Sequence, residues 1–251
     1  MRMNIIQAIA QEFNKSKHAV AFTGAGISSE SGIPTYRGEG GLWNKYDPNK
    51  YASISHFMKD SSYYWNFFLE VRYPQLKEVK PNSAHLALAD LEALGKMETV
   101  ITQNIDGLHQ EAGSSDVIEL HGTTRIIYCM DCGQEYDMED IYPKLRTELP
   151  PLCEKCAGML RPDVVFFGEM LDPDVLNLAY KAASESDFLI AIGSSLVVYP
   201  AAGIPVQAKQ SGALLAIINR EPTPMDHLAD WVINDRAGQV LPQIVEHLKN
   251  L

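Results

Sequence analysis

Apolar and polar positions along the chain fall into blocks that predict helices and strands in turn. Residues 5–13 and 238–248 carry apolar side chains at the spacing of an amphipathic helix, and residues 84–94 do so ahead of a stop at Gly95. Short apolar runs, typical of buried strands, lie at 18–22, 99–102, 117–120, 188–192, 214–218 and 231–233. Because strands that alternate with helices build parallel sheets, the pattern predicts an α/β fold with helices on both faces of a parallel sheet.

Two stretches interrupt this alternation. Residues 38–81 are rich in Tyr, Trp, Phe and Lys with mixed helical spacing, and residues 127–160 hold every cysteine of the chain. Both stretches leave the main pattern and return to it, so we expect them to form one small domain together. The remaining residues, 1–37, 82–126 and 161–251, then make up the larger domain.

The four cysteines form two Cys-x-x-Cys pairs. Cys129 and Cys132 make the first pair, Cys153 and Cys156 make the second, and 20 residues lie between them. Each pair can direct two sulfur atoms at one ion, so the spacing predicts a four-thiolate zinc site. Two disulfides or a redox pair are the alternatives, although a redox pair would not need a second copy. Since four thiolates leave no open position on zinc, we expect a structural metal that makes the small domain a helical zinc ribbon.

The charge of the chain excludes some partners. Its 251 residues include 21 Lys and Arg against 32 Asp and Glu, which gives a net charge of −11. Such a surface repels phosphate backbones and anionic membranes, so we expect neither nucleic acid nor a membrane as a direct partner. No apolar run reaches the roughly 20 residues of a membrane helix, and residues 1–13 lack the features of a secretory signal. We therefore expect a soluble, cytoplasmic protein.

A glycine-rich turn follows the first predicted strand. Gly24, Ala25 and Gly26 could let a pyrophosphate approach the backbone where a helix begins. The third glycine of a dehydrogenase fingerprint would fall at Ser29, so hydride transfer is disfavoured. Residues 30–38 are dense in turn formers, which suits a loop that closes over a ligand. A surface turn with an incidental arginine is the alternative.

Polar side chains also follow other predicted strands. Residues 102–109 end and follow the second strand, His121 ends the third, and segments 193–195 and 219–221 follow the next two. Since the carboxyl ends of parallel strands meet at one edge of a sheet, these segments outline a single crevice. His121 is a candidate general base because the pKa of histidine lies near neutrality. A hydrogen-bonded structural histidine is the alternative.

Taken in order along the chain, these motifs resemble those of the sirtuins, which are NAD-dependent protein deacylases. The motifs that carry the resemblance are Gly24-Ala25-Gly26-Ile27-Ser28, Gly32-Ile33-Pro34, Arg37, Thr102 to His109, His121-Gly122, the four cysteines, Phe167-Gly168-Glu169 and Gly193-Ser194-Ser195. The resemblance spans nearly the whole chain. It implies a Rossmann-like NAD-binding domain and a small zinc-binding domain formed by insertions, with an acylated lysine of a protein or peptide entering the cleft between them.

The resemblance also implies a role for each motif. In sirtuins the acyl oxygen attacks the ribose carbon that bears nicotinamide, and a histidine base activates a ribose hydroxyl so that the acyl group moves to ADP-ribose. His121 matches that base, and Asn104 is the second residue implied as catalytic. The residues implied to bind NAD are Gly24, Ala25, Gly26, Glu30, Tyr36, Arg37, Gln103, Asn104, Ile105, Asp106, Gly193, Ser194, Ser195, Asn219, Arg220, Glu221 and Ala237. Those implied to bind the acylated peptide are Val165, Phe166, Phe167 and Gly168.

Two features depart from the usual sirtuin pattern. Tyr36 occupies a position that is often Phe. The loop 30–35 resembles a subgroup that often removes acidic acyl groups with a Tyr-x-x-Arg pair, but the places that match by count hold Phe68 and Val71. Arg72 stands one residue beyond, where an insertion would be needed to shift it into place. Because burying an acyl carboxylate without an arginine partner is unfavourable, we expect acetyl and other neutral acyl groups.

Two other functions fit the same residues. A protein mono-ADP-ribosyltransferase would use the same glycosidic cleavage with a different nucleophile. A non-catalytic NAD-binding or zinc-ribbon interaction module would keep the fold without the chemistry. The sequence favours deacylation because His121, Asn104 and Asp106 occur together.

Overall fold

The computed structural model describes residues 2–38 and 40–251. Met1 and Glu39, which belong to the predicted larger and smaller domains, lie outside the described residues. The strands are β1 (Ala19–Thr23), β2 (Thr99–Thr102), β3 (Val117–Glu119), β4 (Gly122–Cys129), β5 (Glu135–Asp137), β6 (Leu160–Val164), β7 (Phe188–Ile192), β8 (Leu214–Ile218) and β9 (Trp231–Ile233).

The helices connect and cover these strands. They are α1 (Arg2–Lys15), α2 (Pro48–Tyr51), α3 (Ile54–Lys59), α4 (Ser62–Phe67), α5 (Tyr73–Lys77), α6 (Ser83–Ala93), α7 (Leu108–Ala112), α8 (Met138–Leu145), α9 (Pro173–Glu185), α10 (Gly203–Gln210) and α11 (Ala237–Lys249). Short 3₁₀ helices lie at Ala25–Ser31, Leu42–Asn44 and Asp226–Leu228, and a π-helix lies at Phe68–Arg72.

The larger sheet has six strands in the order β3-β2-β1-β7-β8-β9. Each neighbouring pair is parallel, and the central strand β1 has Phe22 opposite Ile101 on one side and Ala191 on the other. Strands β1 and β7 are buried along their whole length, which explains why their sequences read as unbroken apolar runs. The predicted α/β fold with a parallel sheet is confirmed.

Helices cover both faces of this sheet. One core contains Ile9 and Phe13 of α1 together with apolar residues of α6 and α11, and Phe13 meets Phe188 edge-to-face with ring centroids 4.9 Å apart. The opposite core contains Ala179 of α9 and Ala208 of α10. Burying a side chain the size of Phe13 contributes roughly 1.5–3 kcal/mol, so the two cores together stabilise the packing of the helices on the sheet.

The strand order reverses direction between β1 and β7. From β1 the chain proceeds to β2 and β3 on one side, and later returns to β7, β8 and β9 on the other. At such a switch point the loops after the two central strands diverge, and they leave a crevice beyond the carboxyl ends. The segments after Thr23 and Ile192 form the two sides of this crevice.

The smaller sheet is antiparallel, with strand order β5-β4-β6. Its apolar side chains share one core with the helices of the region 54–73. Trp65 is fully buried in this core, and its indole N–H donates to the Leu160 carbonyl at 3.3 Å. The two interrupting stretches of the sequence therefore pack together. The division of the chain into domains remains a prediction; β4 runs across its boundary at residues 126 and 127.

The π-helix follows from a proline in the next turn. Pro74 has no N–H to donate, and in a regular α-helix its ring would clash with the carbonyl of Glu70. The wider turn relieves that clash, and the N–H of Tyr73 bonds instead to the carbonyl of Phe68, five residues back. A π-helix accommodates one more residue than the α-helical turn it replaces. It therefore shifts the residues that follow it by one position relative to a regular helix.

The four cysteines converge at the end of β4. Their Sγ atoms all lie within 4.8 Å of one another. The Sγ atoms of Cys129 and Cys156 are 3.5 Å apart, and those of Cys132 and Cys153 are 3.7 Å apart. These separations are too long for disulfide bonds, but they match the roughly 3.8 Å edge of a tetrahedron of thiolates bonded to zinc at about 2.3 Å. The donor set fits a structural zinc ion.

Removing the metal is expected to unfold the smaller sheet while the larger sheet remains folded, because the ion joins ligands from separate segments and its binding is coupled to folding. Hydrogen exchange followed by mass spectrometry, with a chelator and a thiol reductant present, should expose residues 122–164 before residues 188–218. Adding zinc back is the control and should restore protection. Full protection in protein that contains no metal would contradict this prediction.

Candidate active site

A cavity of about 950 Å³ opens at the carboxyl edge of the larger sheet. The segments that follow β1, β2, β3, β7 and β8 reach it with Gly24, Gln103, His121, Gly193 and Asn219. Its other wall comes from residues 164–171 and from the aromatic stretch 36–72. The crevice that the strand ends predicted is therefore present, and it is closed on one side by the smaller sheet and its helices.

Nearly all the predicted site residues line this cavity. They are Gly24, Ala25, Gly26, Glu30, Tyr36, Arg37, Gln103, Asn104, Ile105, His121, Val165, Phe166, Phe167, Gly168, Gly193, Ser194, Ser195, Asn219, Arg220, Glu221 and Ala237. Asp106 is not among the lining residues. The four cysteines lie away from the cavity, in the smaller sheet.

The glycine-rich turn makes close contact with the turn after β7. The N–H of Gly26 donates to the Gly193 carbonyl at 2.8 Å, and a Cβ atom on Gly26 would lie 2.7 Å from that carbonyl oxygen. Gly193 itself has φ +61°, a left-handed conformation that favours glycine. The two turns can approach each other this closely only because Gly26 and Gly193 carry no side chain. Their backbone then faces the cavity.

A buried hydrogen-bond network behind the cavity wall fixes Asn104. The Asn104 amide donates to the Ser28 hydroxyl at 3.0 Å, and Ser28 donates to an oxygen of Asp106 at 2.7 Å. The second Asp106 oxygen accepts from the N–H of Leu108 at 3.1 Å. Asp106 therefore lies one layer behind the residues that face the cavity, and it orients Asn104 through Ser28.

Two further histidines extend this network, and sequence reasoning gave them no role. The His85 and His109 rings lie 4.9 Å apart. Thr23 donates to Thr102 at 2.8 Å, so its oxygen accepts from Nε2 of His109 at 2.9 Å. Burial lowers the pKa of His85 to about 4. Burial, and then the neighbouring His85, lowers the pKa of His109 to about 3. Both rings are neutral at pH 7.

His121 presents one nitrogen to the cavity as a proton acceptor. Its Nδ1 lies 2.8 Å from the Gln103 carbonyl oxygen, which can only accept, so Nδ1 carries the proton. Nε2 is then left with a free lone pair. Burial lowers the pKa of His121, and the bond to the Gln103 carbonyl only partly opposes that shift. The neutral ring in this tautomer is the form that a general base requires.

A partly buried ion pair fixes the segment that follows β6. Arg161 bonds both oxygens of Glu169, at 2.8 and 2.9 Å, and one of those oxygens also accepts from the N–H of Phe166 at 2.8 Å. Burial alone would raise the pKa of Glu169, but these bonds lower it below its ordinary value. The pair closes the loop that begins at Val165 and ends at Glu169.

Hydrogen bonds leave one edge of this segment open. The N–H of Phe167 donates to the Ala52 carbonyl at 2.8 Å, and the Phe167 carbonyl accepts from Ile54 at 3.0 Å. The Val165 carbonyl and the Gly168 N–H have no backbone partner among residues 2–38 and 40–251. These two groups are therefore available to an added strand.

Aromatic side chains line the wall opposite the sheet. Trp43 stacks on Tyr36 with ring centroids 5.3 Å apart, and it meets Phe167 at 6.0 Å. Arg72 lies next to Tyr36 on the same wall. Sequence reasoning did not assign Trp43 to the site. The aromatic richness of residues 38–81 was a signal, but only tertiary packing selects which rings face the cavity.

Comparison with known proteins identifies the family. The model of the Sir2 family matches residues 24–200. The chain belongs to the Sir2 family. An NAD-dependent protein deacylase 2 of Archaeoglobus fulgidus is 49% identical over 98% of this chain and 97% of its own. An NAD-dependent protein deacetylase of Sulfurisphaera tokodaii is 50% identical over 94% of this chain and 92% of its own. The resemblance to sirtuins is confirmed.

The fold of this Sir2 protein is also that of solved relatives. A structure of a Sir2 protein with a p53 peptide and NAD⁺ has a TM-score of 0.89 and 41% identity, and the match covers 95% of this chain and 96% of the relative. Among the residues that the structure describes, none of the helices is both long enough and apolar enough to cross a bilayer.

Acidification is expected to destabilise this Sir2 protein through its buried histidines. Between pH 7.5 and 5.5 the folded state keeps His109 neutral, whereas in the unfolded chain this side chain has a pKa of about 6.5 and takes up a proton. The free energy of unfolding therefore falls by about 1.4 kcal/mol for this residue as the pH is lowered. His109→Gln keeps an N–H for Thr23 and should remove that part of the pH dependence. Denaturant unfolding at the two pH values measures it.

The control for this measurement is His227→Gln, since His227 is exposed and bonds the Pro224 carbonyl. It should leave the pH dependence of unfolding as in the parent. Equal pH dependence in His109→Gln and the parent would contradict a neutral buried His109.

Proposed function

We propose that this chain is an NAD-dependent protein-lysine deacylase that acts on acetylated and related acylated lysines of proteins or peptides. The overall reaction converts acyl-lysine, NAD⁺ and water to lysine, nicotinamide and O-acyl-ADP-ribose. The observation that carries the proposal is that one cavity joins the bare glycine turn, the acceptor nitrogen of His121 and the open edge at Val165 and Gly168. The names of the relatives agree with it.

The dinucleotide is assigned to the crevice between β1 and β7. The turns at Gly26 and Gly193 offer backbone without side chains, which suits a pyrophosphate. Ser194 is held by the amide of Gln103 at 2.8 Å, and Asn219 and Glu221 line the cavity farther along the same edge. When bound, NAD supplies the glycosidic bond that is broken and the ribose that receives the acyl group.

The acylated lysine is assigned to the cleft beside Val165 to Gly168. An extended peptide would bond the free Val165 carbonyl and Gly168 N–H, as an added strand does at a sheet edge. Its lysine side chain would pass Phe167, a residue that is 40% exposed. The aromatic wall then surrounds the acyl group and excludes water, which protects the reacting ribose from hydrolysis.

His121 acts as the general base in this proposal. Nδ1 is fixed by the Gln103 carbonyl, so Nε2 accepts the proton of a ribose hydroxyl. Asn104, oriented through Ser28, holds the ribose and the nicotinamide side. Ile105 lines the same pocket. Asp106 contributes by orienting this group of residues from behind.

The structural zinc ion has no part in the chemistry, because its four thiolates lie away from the cavity. Its role is to hold β4 and β6 in register. Strand β6 leads directly into Val165 to Gly168, which we call the peptide segment. We also propose a cytoplasmic location, which suits four cysteines kept as free thiolates for a metal.

His121→Ala is expected to lower kcat about 10²- to 10⁴-fold, because the ribose hydroxyl loses its base. Nicotinamide release and the O-acyl-ADP-ribose product should fall together, as measured by mass spectrometry with an acetyl-lysine peptide. NAD affinity, measured by calorimetry, should change little. His227→Ala is the matched control on an exposed histidine.

Two outcomes would contradict the deacylase proposal. ADP-ribose transferred to protein without O-acyl-ADP-ribose would indicate a mono-ADP-ribosyltransferase. Absence of turnover across several acyl groups, with NAD still bound and His121→Ala indistinguishable from the parent, would indicate a non-catalytic NAD-binding module.

The rate is also expected to fall as the pH is lowered. Only the neutral His121 can accept a proton, and burial lowers its pKa below the ordinary value of about 6.5. The acidic limb of kcat/KM should therefore have its midpoint below pH 6.5. A profile that is flat from pH 7.5 down to pH 5, in buffers that leave the protein folded, would oppose the assignment of His121 as the base.

A further inference from the structure

Gly238, in the first turn of α11, is held by two other parts of the chain. Its N–H donates to Oε1 of Glu30 at 2.8 Å, and its carbonyl accepts from the Ser83 hydroxyl at 2.8 Å. A Cβ atom on Gly238 would lie 2.7 Å from the Ser83 hydroxyl and 2.9 Å from Oε2 of Glu30. The absence of a side chain at Gly238 lets both groups come this close.

The sequence of α11 explains why Gly238 needs partners from elsewhere. The first four N–H groups of a helix have no acceptor within it, and that of Gly238 is one of them. The Gly238 carbonyl would ordinarily accept from the N–H of residue 242, but this residue is Pro242, which has none. Glu30 and Ser83 therefore bond two groups that α11 leaves without a regular helical partner.

These contacts close a ring of hydrogen bonds that includes the loop after β1. Asn82, at the start of α6, donates from its side-chain amide to the Ile27 carbonyl of that loop at 2.8 Å. The next residue, Ser83, bonds Gly238, and Gly238 bonds Glu30 in the same loop. The ring thus joins the loop to the first turns of α6 and α11.

The ring lies beside the part of the cavity that is assigned to the dinucleotide. Gly26 lines the cavity from the loop, and Ala237, the neighbour of Gly238, lines it from α11. Because Glu30 bonds α11 only four residues after Gly26, it fixes the distance between these two walls. Ser83 lies outside the cavity lining.

The bond to Gly238 also determines where the charge of Glu30 lies. The carboxylate is at the N-terminus of a 13-residue helix, where the positive end of the helix dipole stabilises an anion. Both of its oxygens lie within 3.0 Å of the position that a Cβ atom of Gly238 would take, so the carboxylate is directed at α11. A carboxylate directed at an anionic pyrophosphate would instead repel it.

We propose that Glu30 is a positioning residue for NAD, and that it holds the glycine-rich turn and the N-terminus of α11 at the separation that the dinucleotide requires. The inference rests on the proposed function. It replaces the direct contact with NAD that the resemblance implied for Glu30 with an action through Gly238. Without the carboxylate, NAD would have to order the loop and α11 when it binds, and its affinity would fall.

The test measures NAD binding by the full chain without peptide, using isothermal titration calorimetry. Glu30→Ala is expected to raise the Kd about 10-fold, because a hydrogen bond to a charged group is lost. Glu30→Gln keeps an oxygen that can accept from Gly238, and should raise the Kd about 3-fold. In the free protein, hydrogen exchange should become faster at residues 25–31 and 237–241 in Glu30→Ala.

Ser83→Ala separates positioning from direct contact with the cofactor. Ser83 lies outside the cavity lining, yet it bonds the same residue of α11 as Glu30 does. Its loss should raise the Kd for NAD about 3-fold. The double variant Glu30→Ala, Ser83→Ala should show a smaller loss of affinity than the product of the two single effects, because both act on Gly238.

Glu92→Ala is the matched control. Glu92 also accepts a backbone N–H from another segment, that of Ser115 at 3.0 Å, but it lies outside the cavity lining. This variant should leave the Kd for NAD and the hydrogen exchange of residues 25–31 as in the parent. KM for NAD in the deacylation assay should rise in parallel with Kd in the Glu30 and Ser83 variants.

The outcomes distinguish this inference from the proposed function. If Glu30→Ala weakens NAD binding while Ser83→Ala binds like the parent, Glu30 contacts the cofactor directly and the inference is wrong. Unchanged affinity in both variants also overturns it. If Glu30→Ala does not fold, Glu30→Gln and Ser83→Ala decide in the same way. A parent that binds NAD but turns over no acyl-lysine peptide overturns the proposed function, whereas a parent that does not bind NAD overturns both.

Discussion

All neighbouring strands of the larger sheet run in the same direction, and the site depends on that constraint. With β1 paired to β2 on one side and to β7 on the other, every segment that follows a strand emerges at the same edge. Residues almost 200 positions apart in the chain, such as Gly24 and Asn219, are thereby placed on one cavity. The register is fixed by side chains buried on both faces of the sheet, because a slip of one residue would turn them to the wrong face.

The sequence was informative about the sheet and about the edge of the cavity for the same physical reason. Buried parallel strands need unbroken apolar runs, so the bounds of β2, β7, β8 and β9 could be predicted to the residue. The first strand is displaced by one residue because His18 is exposed and bonds Glu98 at 2.9 Å, while the buried Thr23 joins the ladder. Polar residues directly after such runs lie at the carboxyl edge of the sheet.

What could not be predicted depends on contacts between distant side chains. Nothing local to Asp106 indicates that it lies behind the cavity wall, since its position is set by Ser28 and by the N–H of Leu108. The neutral pair His85 and His109 is equally invisible in the sequence, because the rings meet only after α6 and α7 pack. For Arg72 the sequence did contain a signal, which is Pro74. A regular helix cannot include this proline without a clash, and the π-helix that accommodates it shifts the position of Arg72 by one residue.

The smaller sheet contributes shape rather than reacting groups. Its core joins Trp65, Phe166 and Cys129, so the aromatic wall, the peptide segment and the cysteine cluster belong to one packed unit. The bonds of Phe167 to Ala52 and Ile54 already occupy one side of the peptide segment before any ligand arrives. An incoming chain would thus meet a preorganised edge, and the loss of conformational entropy on association would fall on the peptide rather than on the enzyme. Selectivity among target proteins would then follow from how readily a given lysine-bearing segment becomes extended.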